Sequence, residues 1–209
     1  MAKQTQQLQS FWRKRLVKEL PQYNRNQRHG IVSWLLNYNL SFTTTQELSV
    51  DELTTLNQKI EYRYSLLRRR YLTVNYTEGY RTLISRLSSV TAKYCSVLRM
   101  KCCQKSQREI VNLIQQVIQT LMNHDPYLKA QFEQISQEIS DRQLREALVL
   151  ATVEEYCLHP VKNKPFFLHC LRQHLSQTPL TLAENLMNSS CLNEANNFSY
   201  LVEKVAVFG

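Results

Sequence analysis

Glycine is scarce in this chain, with 3 residues among 209, and proline is nearly as rare at 5. Strand-rich folds need many hairpins, and those hairpins are built largely from glycine, asparagine and proline. The shortage therefore excludes sandwiches and barrels, and with them the glycine-rich loops that cradle nucleotides. Long apolar runs are missing too. The longest uncharged stretch, Gly30 to Gln46, is interrupted by Asn, Ser and Thr and is no membrane span. Met1 to Ser10 is polar and glutamine-rich, without the apolar centre of a signal peptide. The 6 cysteines, Cys95, Cys102, Cys103, Cys157, Cys170 and Cys191, are not spaced as a disulfide framework. Reduced thiols in a cytoplasmic protein with no membrane contact are expected.

Recognisable catalytic constellations are equally missing. The chain holds no P-loop, dinucleotide fingerprint, nucleophile elbow or zinc-protease pair. An enzyme, a cofactor and a small-molecule substrate are accordingly not expected. The nearest approach to a metal site is Cys157-x-His159 with His169, Cys170 and His174. Their spacing departs from zinc ligand patterns, which use CxxC pairs, so core and surface roles are expected instead and no metal. Cys102 and Cys103 lie between Lys101 and Lys105, whose cations would lower a thiol pKa. The plainer reading there is an ordinary helix end.

What is present suits a globular helical protein: 43% hydrophobic and 21% charged residues, enough to bury a core. The expected fold is all-α, a single multi-helix bundle over residues 21–209 preceded by a basic amphipathic arm or helix over 1–20. The net charge is +9, but its distribution says more. Residues 1–105 hold 18 basic and 6 acidic side chains, whereas residues 106–209 hold 8 and 11. A basic half beside a mildly acidic half points to a polyanion partner for the first and a partner surface for the second.

Helical periodicity and capping signals divide the chain. Leu8, Phe11, Trp12, Leu16 and Leu20 form an apolar stripe closed by Pro21, with Arg13, Lys14, Arg15 and Lys18 between them. Asn24 to Tyr38 reads as a helix carrying Ile31, Trp34, Leu35 and Tyr38, and Asn39 to Thr45 as a loop. Ser49 and Glu52 form a capping box. Behind it Leu53, Leu56, Ile60, Tyr64, Leu67 and Tyr71 recur at helical spacing, with Lys59, Arg63, Arg68, Arg69 and Arg70 assigned to the polar side. Thr77 is expected to cap a helix whose buried face holds Tyr80, Leu83, Ile84, Leu87, Thr91, Tyr94 and Leu98. A second capping box, Ser106 with Glu109, precedes an apolar helix through Leu121. Asp125-Pro126 and Asp141 start two more, the latter running to about Tyr156 and apolar on nearly every side. Pro160 and Pro165 bracket an extended link. Helices near 166–176 and 182–188 follow, the second capped by Thr181 with Glu184, and Tyr200 to Phe208 forms an apolar tail.

The basic half offers a helix-turn-helix. In that reading Thr77 to Leu87 is the first helix, Ser88-Ser89 the turn, and Val90 to Lys101 the recognition helix presenting Lys93, Arg99 and Lys101. The competing reading is one uninterrupted helix from 77 to 100. Arg63, Arg68, Arg69, Arg70, Arg81 and Arg86 complete the candidate nucleic-acid contacts, with Arg13, Lys14, Arg15 and Lys18 as a secondary clamp on phosphates. Consecutive arginines splay by about 100° each around a helix, so Arg68 to Arg70 cannot all face one groove. Tyr62, Tyr64, Tyr71, Tyr76 and Tyr80 fit a core better than a base-stacking platform. The whole reading requires the cations to meet on one solvent-facing patch and to stay clear of the carboxylates of the second half.

Two runs carry a family likeness. Tyr62-Arg63-Tyr64-Ser65-Leu66-Leu67-Arg68-Arg69-Arg70-Tyr71-Leu72 is one, and the longer run from Leu148 through Glu154-Glu155-Tyr156-Cys157-Leu158-His159-Pro160 to Pro165 is the other. Both resemble cyanobacterial HetZ-related proteins, the group of heterocyst-differentiation regulators that includes HetZ and PatU, over residues 50–175. The resemblance implies a cytoplasmic regulator of cell differentiation that binds DNA and works with other regulators of the same pathway. It assigns no base-contacting residue, so the arginines above rest on charge and helical geometry alone. The expected partner is double-stranded DNA, through a helical transcriptional regulator that allows a homo-oligomer. The alternative is an interaction regulator that binds another transcription factor without contacting DNA.

Overall fold

A computed structural model describes residues 2–37, 49–98, 106–161 and 164–177. Those residues form α1 (Ala2–Glu19), α2 (Arg25–Asn37), α3 (Val50–Arg70), α4 (Tyr76–Leu98), α5 (Gln107–His124), α6 (Pro126–Glu138), α7 (Arg142–Leu158) and α8 (Phe166–Gln177). Between α7 and α8 the extended link pairs with itself, β1 (Pro160–Val161) lying antiparallel to β2 (Lys164–Pro165). The fold is the expected all-α bundle.

Side-chain capping sets most of the helix starts. Ser49 with Glu52 and Ser106 with Glu109 both close the reciprocal box, each serine oxygen accepting from the N3 amide. Asn24 and Gln27 make an equivalent exchange ahead of α2. Asp125 and Asp141 cap α6 and α7, with Pro126 in the first turn of α6, where a missing N–H is no loss. The start of α4 differs from expectation. Asn75 Oδ1 accepts from the Glu78 amide at 3.0 Å, so Asn75 is the cap and Thr77 lies inside the helix.

The core centres on α7, which packs against α3, α4, α6 and α8. From Glu146 through Glu154 every residue of α7 is buried, which leaves this helix no solvent face in its second and third turns. Two glycines allow close approach to neighbours. A Cβ at Gly79 of α4 would stand 2.8 Å from Leu150 Cδ1 of α7, and one at Gly30 of α2 would stand 2.8 Å from Ile139 Cγ1. The buried Trp34 indole donates to Thr152 Oγ1 at 3.0 Å and ties α2 to α7. Of the two forms expected for residues 1–20, the helix is seen. It docks on α2, burying Trp12, Leu16 and Leu20. Phe11, expected in that stripe, is instead 56% exposed, because it falls on the opposite edge from Leu16 and Leu20.

The helix-turn-helix does not form at Ser88-Ser89. Helix α4 runs unbroken through both serines to Leu98, as the competing reading has it. Ser89 Oγ donates to the Ser85 carbonyl at 2.9 Å, so its hydroxyl is satisfied within helical geometry. Leu83, Leu87 and Thr91 are all buried, so one apolar face crosses the supposed turn in register. The expectations for Tyr38, for Asn39 to Thr45, for the helix near 182–188 and for the tail from Tyr200 lie outside the described residues.

Candidate nucleic-acid interface

The arginines of α3 go to three different places, as their angular splay requires. Arg63 goes inward. Its side chain is 0% exposed, its Nε stands 2.8 Å from Glu155 Oε2, and its Nη1 donates to the Trp34 carbonyl at 2.9 Å. The guanidinium also lies 4.2 Å from the centre of the Trp34 ring. Burial raises the Glu155 carboxyl above its ordinary range even though Arg63 opposes the shift. Arg63 therefore cannot contact DNA, and its assignment to the polar side is corrected. The spacing held the signal: Arg63 falls three residues after Ile60 and four before Leu67, on the inner stripe itself.

Arg68 turns toward α1. Glu19 accepts from Arg15 Nε at 2.6 Å, from Tyr64 Oη at 2.9 Å and from Arg68 Nη1. Arg15 Nη1 also binds Glu61. Hydrogen bonding from Arg15, and to a lesser degree from Tyr64, holds the Glu19 carboxyl below the usual carboxylate range. Burial, with Glu19 adding to it, pushes the Tyr64 hydroxyl up to about 12. In the α1–α3 seam Arg15 and Arg68 thus share Glu19, with Arg15 also holding Glu61, and the two side chains stay 28% and 50% exposed.

The third direction leads to the edge where α3 meets α4. Glu154, fully buried near the end of α7, accepts from Arg70 Nη1 through Oε1 and from Tyr71 Oη through Oε2. Arg86 Nε of α4 stands 3.5 Å from the same Oε1. Arg70 and Arg86 remain 29% and 47% exposed, so both guanidiniums keep a solvent face. Burial, and next the Arg86 cation, lower the Arg70 pKa, with exposed Arg69 adding to the effect. Lys93 is exposed seven residues beyond Arg86 on α4, which places both on one line of that helix. Tyr62 lies near Arg70 and is 51% exposed, in contrast to Tyr64, Tyr71 and Tyr80, which are buried.

The structure thus brings Arg70 and Arg86 together on Glu154, with exposed Arg69 next to Arg70 on α3 and exposed Lys93 two turns beyond Arg86 on α4. It does not bring the rest there. Arg81 is exposed on another side of α4, where it lines a groove against α5. Arg13, Lys14 and Lys18 are exposed on α1. Arg99 and Lys101 lie outside the described residues, as do Cys102 and Cys103. The requirement of one patch clear of second-half carboxylates is met only in part, because Arg63, Arg70 and Arg86 hold Glu155 and Glu154. Sequence reasoning missed both glutamates, although two acids directly after the apolar run Leu148 to Val153 needed cation partners to be buried at all.

Among the described residues, the cysteines and histidines of the second half are not gathered into one centre. Cys157 is buried, His159 caps α7 at the surface, His169 is exposed, and His174 Nε2 sits 3.3 Å from Gln116 Oε1. Burial pushes the Cys170 thiol up to about 11 and raises Cys157 as well. Among the described residues no group of three or more potential ligands could hold a metal ion, and no helix is long and apolar enough to cross a membrane. The chain matches no family model, no curated protein and no solved structure.

Proposed function

We propose that this chain is a helical regulator that binds duplex DNA through the phosphate backbone, using the edge formed by Arg69, Arg70, Arg86 and Lys93. One observation carries the reading: Arg70 and Arg86, from two helices, share the buried Glu154, which holds both guanidiniums in place with their outer faces open. Two guanidiniums on one carboxylate leave that cluster a net positive charge. Guanidiniums at such an edge suit phosphate oxygens, and contacts of this kind position a protein without reading bases. The role in cell differentiation rests on the resemblance to HetZ-related proteins and on nothing else. With no recognition helix at Ser88-Ser89, the binding mode proposed is backbone contact.

An edge of this size makes about three phosphate contacts, which sets a log–log salt slope of about −2.7 and an affinity loss of about 40-fold between about 50 and 200 mM salt. Fluorescence anisotropy with a random-sequence duplex measures this directly. Binding that ignores salt, or none at the lower salt, would remove the proposal. A second reading, an interaction regulator that does not touch DNA, is favoured by a different observation. Arg15, Arg63, Arg68, Arg70 and Arg86 all hold carboxylates of their own chain, which lowers the charge left for an outside polyanion.

A further inference from the structure

The tyrosines of the basic half are expected in a core, and Tyr62 is the one that stands outside it. Tyr64, Tyr71 and Tyr80 are buried and Tyr76 is partly buried, whereas Tyr62 is 51% exposed on the outer side of α3. Among the described residues its ring stacks on no other ring and its hydroxyl has no hydrogen-bond partner. Cations stand on both sides of it along the helix. Arg69 follows seven residues later, within about 20° of the same line, and Lys59 precedes it by three, about 60° round the axis. Both are exposed, and neither forms an ion pair with a described residue, whereas Glu61, Glu154 and Glu155 hold Arg15, Arg70 and Arg63. Arg70 lies near the ring as well, close enough for Tyr62 to act on its pKa. From Lys59 to Arg69 the stripe is about 15 Å long by helical rise.

We infer, resting on the DNA reading of the adjoining arginine edge, that Lys59, Tyr62 and Arg69 form a subsite for single-stranded DNA. In it the Tyr62 ring stacks on an unpaired base, and Lys59 and Arg69 take phosphates on either side. The cations call for a polyanion, and the ring decides its form. A paired duplex presents phosphate and sugar at its rim, with the base faces covered by their neighbours, so an outward ring gains nothing there. An unpaired base has a free face. Aromatic stacking between backbone-holding cations is the usual means of gripping a single strand. Every base offers such a face, so the subsite carries no sequence preference. Arg69 belongs to both parts, which places the subsite directly beside the duplex contact. The substrate class that follows is DNA with an unpaired stretch next to a duplex. The stacking uses the ring and not the hydroxyl, so phenylalanine serves in its place.

Fluorescence anisotropy of the full chain, with an oligothymidine of about 15 nucleotides and with a duplex of the same length, separates the two contacts. Tyr62→Ala is expected to weaken single-strand binding by about fivefold or more and to leave duplex binding within about twofold. Tyr62→Phe should keep both. Single-strand binding that survives Tyr62→Ala, or falls equally on strand and duplex, overturns the subsite and leaves the duplex contact standing. A native chain that binds duplex but not the strand does the same. A native chain that binds neither overturns the DNA reading itself, and the subsite with it. Tyr62→Trp gives an independent readout, because the chain's own Trp12 and Trp34 are buried. Emission of the new indole should be quenched by oligothymidine as bases stack on it. Unquenched emission at a saturating strand concentration overturns the inference.

Discussion

Arg63 and Glu155 form an ion pair inside the bundle, Nε to Oε2 at 2.8 Å, with the arginine wholly out of solvent and covered by the Trp34 ring. The pair joins α3 to α7, and the arginine also reaches back to the α2 carbonyls. Removing one member strands the other. Arg63→Met is expected to cost about 3–5 kcal/mol, and the double variant Arg63→Met with Glu155→Gln distinctly less, because no uncompensated charge is left buried. Urea unfolding of the two variants and the native chain tests this, and equal losses would show that the charges are not coupled.

Glu154 has a different position, since its two arginines are partly open. Glu154→Gln weakens the hold on Arg70, Arg86 and Tyr71 and should destabilise the fold by about 2 kcal/mol. The same change removes a negative charge at the proposed DNA edge, so duplex affinity should rise while stability falls. A loss of both in parallel would mean that the edge contributes through its geometry and not its charge.

Arg69 is the clean surface probe. It is exposed and makes no ion pair with a described residue, whereas Arg68 holds Glu19 and Arg70 holds Glu154. Arg69→Ala should leave stability within about 0.5 kcal/mol and reduce the salt slope of DNA binding by about one. An unchanged slope would take Arg69 out of the contact.

Glu19 gives the α1–α3 seam a pH dependence of definite sign. Its folded pKa is held down, chiefly by Arg15, so its contribution is fully present above the ordinary glutamate value of about 4.3 and is lost as pH falls through the depressed folded value. Thermal unfolding followed downward from neutral pH should therefore show an acid limb that is shallower in Glu19→Gln. Identical limbs would place the acid sensitivity elsewhere.

Much of this architecture was legible in the chain because the signals are local. Capping boxes at Ser49 and Ser106, the Asp125-Pro126 start and the apolar run of α7 act within one or two helical turns, and the helices begin and run where those signals lie. The scarcity of glycine and proline alone excluded strand-rich folds. Which carboxylate a charged residue meets was a matter for the assembled bundle. Arg63 became a core residue because α7 presents Glu155 to it, and Arg70 and Arg86 became neighbours because Glu154 draws two helices to one carboxylate. Those partners are about seventy to ninety residues apart in the chain, beyond any periodicity, and a guanidinium can be buried or exposed at nearly the same helical angle. The unbroken course of α4 through Ser88-Ser89 was likewise settled by packing, since serines tolerate both turn and helix and only the continuous buried face of Leu83, Leu87 and Thr91 decides between them.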